Sequence, residues 1–213
     1  MFTEEEWARI EEETTLKPGD LPFKEPPPNS PEHSYVDLSR DVGYFRRVEG
    51  FGKTALLVVE QALAGELSTS DIDSMGLAAL YSFRHYLELA LKSLVSSVRL
   101  LNEDRTAIRP RHFLMELWVE CRDVLAGRGV ETESLDKAEA CIRQFNDADR
   151  GSFRFRYPED TDSTVNFKCI DLSNLRIVMK RLMAQLDGWE TGVDELANQR
   201  REALEYEAEY RYE

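Results

Sequence analysis

Residues 81–94 read YSFRHYLELALKSL. At about 100° per residue, Leu77, Leu80, Leu87, Leu91, Val95 and Val98 fall on one stripe of a helix. Arg84 lies in the middle of that stripe rather than on the solvent side. Glu88 stands about 40° round from it, Lys92 about 80°, and His85 is on its flank. A guanidinium set among leucines has to be paired or face a cavity, because an unpaired buried charge is costly. The stretch therefore predicts a core helix with Arg84 buried, and it marks the surrounding polar residues as the place to look for function.

Outward from this stretch, the helix is expected over about 71–101 behind a Ser70 cap. A preceding helix over about 42–64 carries Phe45, Val48, Leu56, Val59 and Leu63, with Gly65 as its stop. A third begins in RPRHFLMELWVECRDVLAG, with Pro110 in its first turn, Gly127 at its end and Leu114, Leu117, Trp118, Cys121 and Leu125 inward. A fourth, about 133–147, carries Leu135, Ala138, Ile142 and Phe145. In 151–172, Phe153, Phe155 and Tyr157 alternate with Arg154 and Arg156, and Val165, Phe167 and Cys169 alternate again beyond Pro158. That period of two predicts a small β-hairpin near 152–170. Asp171 then caps a helix with Leu175, Val178, Leu182, Leu186 and Trp189. The fold class is mainly α, a helical bundle with one hairpin.

The ends differ from this body. Thr3 followed by Glu6 is a capping box for an acidic helix over about 3–14. Residues 16–33 hold six of the eight prolines and read as an extended linker, with Leu21 and Phe23 as its anchors. The expected organisation is an acidic N-terminal helix and linker over 1–34, a bundle over 35–189 and an acidic tail over 190–213. Residues 1–34 carry 9 Asp/Glu against 3 Lys/Arg, and so do residues 187–213. The near-neutral middle is thus the part suited to meeting a polyanion, while the ends repel one or attract a basic protein. No apolar run approaches the ~20 residues that span a bilayer, and the acidic N-terminus is unlike a signal peptide. Cys121, Cys141 and Cys169, widely spaced and odd in number, fit small core residues in a reducing cytoplasm. No metal or cofactor is expected.

Motifs for nucleotide phosphates, zinc proteases, serine hydrolases and calcium loops are missing, and Gly50-Phe-Gly52-Lys53-Thr54 lacks the spacing of a phosphate loop. Three polar groups remain. Arg84, His85, Glu88 and Lys92 share one helix, and His112 and Glu116 open another. Asp149, Arg150, Ser152, Arg154 and Arg156 surround the predicted hairpin. An imidazole beside arginines can act as a general base while a guanidinium stabilises an anion. The catalytic candidates are Arg84, His85, His112 and Arg156, with Glu88, Lys92, Asp149 and Ser152 as orienting polar partners. The competing reading is purely structural: Arg84 and Glu88 fix helix register, and Arg156 pins the hairpin.

LYSFRHYLELALKSLV, RHFLMELW and DADRGSFRFRYPEDTDS, in that order over about 70–165, resemble a group of bacterial proteins with a HEPN-like helical core. The resemblance implies a helical bundle, often dimeric, recurrent in toxin–antitoxin and antiphage systems. It also implies a metal-independent endoribonuclease that uses an Arg followed some four to six residues later by a His. Arg105 and His112 meet that spacing, but Pro110 interrupts it, whereas the family keeps the pair on one continuous helix. Any nuclease site here is expected to be composite, with Arg84 and His85 or His112 converging across helices. The alternative is a non-catalytic interaction module whose acidic ends bind a basic partner or mask a nucleic-acid surface.

Overall fold

The structure, a computed structural model, describes residues 3–17, 20–23, 27, 30, 31, 34, 36, 39, 42–104, 106–108, 112–157 and 169–210. Among them lie six helices: α1 (Glu4–Thr14), α2 (Val42–Leu63), α3 (Thr69–Leu101), α4 (Leu114–Gly127), α5 (Thr132–Ala148) and α6 (Leu172–Tyr210). The chain divides into two compact units, Met1–Asp37 and Leu38–Glu213. In the first, α1 starts at the predicted capping box. The Thr3 N–H donates to Glu6 Oε2 at 2.8 Å, and the Glu6 N–H donates to Thr3 Oγ1 at 3.2 Å. Leu21 and Phe23 are exposed and do not anchor the segment after it.

The second unit is organised around α3, which packs against α2, α4 and α6, while α5 packs on α4. A helix touched on several sides has to be apolar through most of its circumference. Its middle obliges: Phe83, Leu87, Leu91, Leu94 and Val95 are fully buried. Each such side chain contributes about 1.5–3 kcal/mol relative to exposure. Leu77, placed on the same stripe by the sequence, is exposed, because burial along α3 begins only at Ala79. The predicted inner faces of α4 and α5 are all buried. Trp118 joins three helices. Its ring stacks obliquely on Trp189 of α6 at 5.9 Å, and its Nε1 donates to Glu139 of α5 at 3.0 Å.

Several expectations need correction. The cap of α3 is Ser68, not Ser70: its hydroxyl accepts from the Asp71 N–H. α4 begins at Leu114 behind an extended Phe113, so His112 precedes the helix instead of standing in it. Residues 153–157 are a turn and not a strand, since the Arg156 and Tyr157 amides both donate to the Phe153 carbonyl. The other half of the predicted hairpin lies mostly at 158–168, outside the described residues, as do Arg105 and Pro110. The boundary at 190 is likewise absent. α6 runs through Gly188 and Gly192, and Val193 and Ala197 are core residues. Of the cysteines only Cys121 is fully buried, and Cys169 is exposed. No helix among the described residues is long and apolar enough to cross a membrane.

Candidate functional site

The site is built on the middle of α3. Arg84 is 0% exposed, and the three nitrogens of its guanidinium are all engaged. Nη1 pairs with Glu88 Oε2 at 3.2 Å, Nε donates to the Asp149 carbonyl at 3.1 Å, and Nη2 donates to the His112 carbonyl. Positions 84 and 88 are one helical turn apart, so the pair forms within α3. The two carbonyls come from the end of α5 and the segment before α4. One cation therefore ties three pieces of chain together, and it fixes the backbone at 112.

Glu88 is the second hub. Its Oε1 accepts from Lys92 Nζ at 2.6 Å and faces His112 Nδ1 at 3.0 Å. Burial pushes this carboxyl up, but Lys92, Arg84 and His112 outweigh burial and hold it below the ordinary carboxylate range. A charged Glu88 makes His112 Nδ1 the donor, which in the neutral imidazole leaves Nε2 as the acceptor. The His112 side chain is 57% exposed, so that acceptor can be reached from outside. Arg84 has the opposite balance: burial lowers it, while Glu88 and Asp149 oppose the shift.

Asp149 builds the turn that follows α5. Its Oδ1 accepts the Phe153 amide at 2.7 Å and the Arg154 amide at 3.0 Å. Its Oδ2 is buried and has no hydrogen-bond partner among the described residues. Ser152 sits within this turn, buried and at a positive φ of 62°, a conformation costly for a residue with a Cβ. The Ser152 carbonyl accepts from Arg156 Nε at 2.8 Å and from Nη2. Arg156 thus lies over the rings of Tyr81, Phe153 and Tyr157 at 5.2–5.5 Å. Arg150 lies over Phe113 at 5.4 Å, next in sequence to His112.

The structure brings Arg84, Glu88, Lys92, His112 and the backbone of Asp149 together. It does not bring His85 to His112. The His85 ring packs edge-on against Phe51 at 4.3 Å and stacks with Tyr81 at 6.0 Å. Burial lowers its pKa; Glu88 works against this, and Arg84, Lys92 and Arg156 add to it, so His85 is neutral near pH 7. Under the catalytic reading, Arg84 or Arg156 faces the reacting anion. Completely enclosed and committed to three protein acceptors, Arg84 has no donor directed at solvent, and it acts by holding Glu88 and residue 112. Sequence reasoning missed the Glu88–His112 contact, since residues 24 apart give no periodic signal. It also missed the Phe113–Arg150 pair. Among the described residues no three His, Cys, Asp or Glu side chains converge as metal ligands would. No protein family, curated protein or solved structure matches this chain.

Proposed function

We propose that the chain is a HEPN-like bacterial accessory or defence protein that cleaves RNA as a metal-independent endoribonuclease. The observation that supports this is the exposed His112 imidazole, oriented from beneath by the buried Glu88 carboxylate. A carboxylate on Nδ1 stabilises the imidazolium that forms when Nε2 takes a proton. In the proposed step Nε2 takes the proton of a 2′-hydroxyl, and the 2′-oxygen attacks the adjacent phosphorus. The 5′-oxygen leaves and is protonated by solvent, giving a 2′,3′-cyclic phosphate and a 5′-hydroxyl. Arg150 and Arg156, both exposed, supply positive charge for the phosphate, and the rings beneath them offer faces for unpaired bases. Arg84 is a positioning residue.

Incubation of the purified chain with structured and unstructured RNA in EDTA tests this. Cleavage is expected from the wild type, with His112→Ala slower by about 100-fold or more, the usual range for losing a general base. His85→Ala is expected to cut normally. If no RNA is cut under any condition, the nuclease reading fails. The second reading, a partner-binding module, then gains. It is favoured by the stretch of α6 from 198 to 207, exposed along its whole length beyond Ala197, the last core residue among those described.

A further inference from the structure

A cavity of about 410 Å³ lies between α2, α3 and α6, and none of the residues of the His112 site lines it. Its volume is in the range of small-ligand pockets. One wall is apolar: Phe45 and Val48 from α2, Met183 and Leu186 from α6. Phe45 is largely exposed, an expense for an aromatic ring that a ligand in the cavity would remove. The polar lining is almost entirely of one sign. Asp187, Glu190 and Asp194 stand along α6 with Glu49 across from them on α2, against the single cation Lys53. Lys53 is already taken by Glu49 at 2.6 Å. Among the described residues no cation pairs with Asp187, Glu190 or Asp194. Nor do these acids converge on one point as a metal ion requires. Tight anchoring is nevertheless present, since Ser93 Oγ on α3 donates to Glu190 Oε1 and fixes that carboxyl at the cavity wall.

We propose that this cavity binds a small aliphatic amine, with its ammonium group against Glu190 and its alkyl stem along Phe45, Val48, Met183 and Leu186. The chemistry is complementary in both respects: an ammonium satisfies acids that have no cation, and an alkyl chain covers apolar wall that water wets poorly. Glu190 is the anchor because it is half-buried, where an ion pair is screened less than at Asp187 on the surface. Burial, with Asp194 and Asp187 beside it, raises the Glu190 carboxyl above the ordinary range, and a bound cation would bring it down again. The site is independent of the RNA reading.

Isothermal titration calorimetry and thermal melting of the full chain with 1,5-diaminopentane test the proposal, with 1-pentanol and equal ionic strength of NaCl as controls. Saturable binding and a raised melting temperature are expected with the diamine and not with the controls. Glu190→Gln keeps the shape and the acceptor for Ser93, and is expected to weaken binding about tenfold or more, the loss of one charge-assisted contact. Glu195→Gln changes net charge equally but does not line the cavity, and is expected to bind as the wild type does. Absence of saturable heat, equal weakening by both substitutions, or undiminished binding by Glu190→Gln would each overturn the proposal. A short lysine peptide that binds more tightly than the diamine would overturn the small-molecule assignment in favour of a protein ligand.

Discussion

At the scale of single residues, two carboxylates on the same bundle have opposite relations to folding. Glu88 is held low by Lys92, Arg84 and His112, so the native state releases its proton more readily than the unfolded chain. Its stabilising effect is present above the ordinary glutamate value of about 4.3 and is lost as pH falls through the depressed native value. Glu190 is raised, chiefly by burial and then by Asp194 and Asp187. Its native form binds a proton where the unfolded chain has lost one, so stability falls as pH rises through that window. Glu88→Gln is therefore expected to lower the melting temperature at pH 7, Glu190→Gln to raise it, and both differences to shrink in acid. Melting curves from pH 3 to 8 check the signs. Arg84→Ala removes the cation from a site where Glu88 and Asp149 stay buried. The cost expected by urea denaturation is about 3–5 kcal/mol. That Arg84 would be buried, and paired with Glu88, was legible from spacing alone, because both lie on one helix. That its other acceptors would be the carbonyls of 112 and 149 was not, since main-chain acceptors leave no mark in a sequence.

At the scale of elements, the approach of α2 to its neighbours turns on one glycine. A Cβ added at Gly52 would stand 2.6 Å from Met183 Cε and 2.9 Å from the Tyr86 ring, whereas at Gly50 nothing lies within 4 Å. Met183 can swing aside, but the Tyr86 ring is buried and its shift would disturb the α2–α3 contact. Gly52→Ala is expected to cost about 1–3 kcal/mol, as overpacked sites do. Gly50→Ala is expected to gain about 0.5–1 kcal/mol from helix propensity. Paired chemical denaturation distinguishes the two, and equal effects would refute the close-approach account. In sequence both glycines read alike, as weak points in a helix. The apolar faces of α4 and α5 were legible because a 3.6-residue period persists over three or more turns. The turn at 153–157 was misread because five alternating residues suit a strand as well as a turn. The deciding contact is the Asp149 carboxylate, which takes the amides of 153 and 154 that a sheet would have needed.

At the scale of the whole molecule, the acidic C-terminal stretch is two things instead of one tail. Asp187, Glu190 and Asp194 line the cavity wall, whereas Glu202, Glu205 and Glu207 are exposed on helix that has left the core. The sequence hid this division because acidic residues on a helix look the same whether they face solvent or a cavity. Arg200 ties this part of α6 to the body: its Nη1 donates to the Leu101 carbonyl at 3.2 Å, and its Nη2 pairs with Glu103 at 2.6 Å, clasping the end of α3. Two truncations should therefore behave differently. Among the described residues, deleting 203–213 removes no core residue and neither partner of the Arg200 clasp, so the melting temperature is expected to stay within about a degree or two, the scale of a surface change. Deleting 190–213 takes away Val193, Ala197 and the Arg200 clasp, and a loss of at least about 2 kcal/mol is expected from the apolar burial alone. If an acidic tail masks an RNA surface, the shorter deletion is the one to assay, because any gain in binding by the longer one is confounded with partial unfolding. Equal melting temperatures for the two truncated chains would show that α6 contributes nothing to the core beyond residue 190.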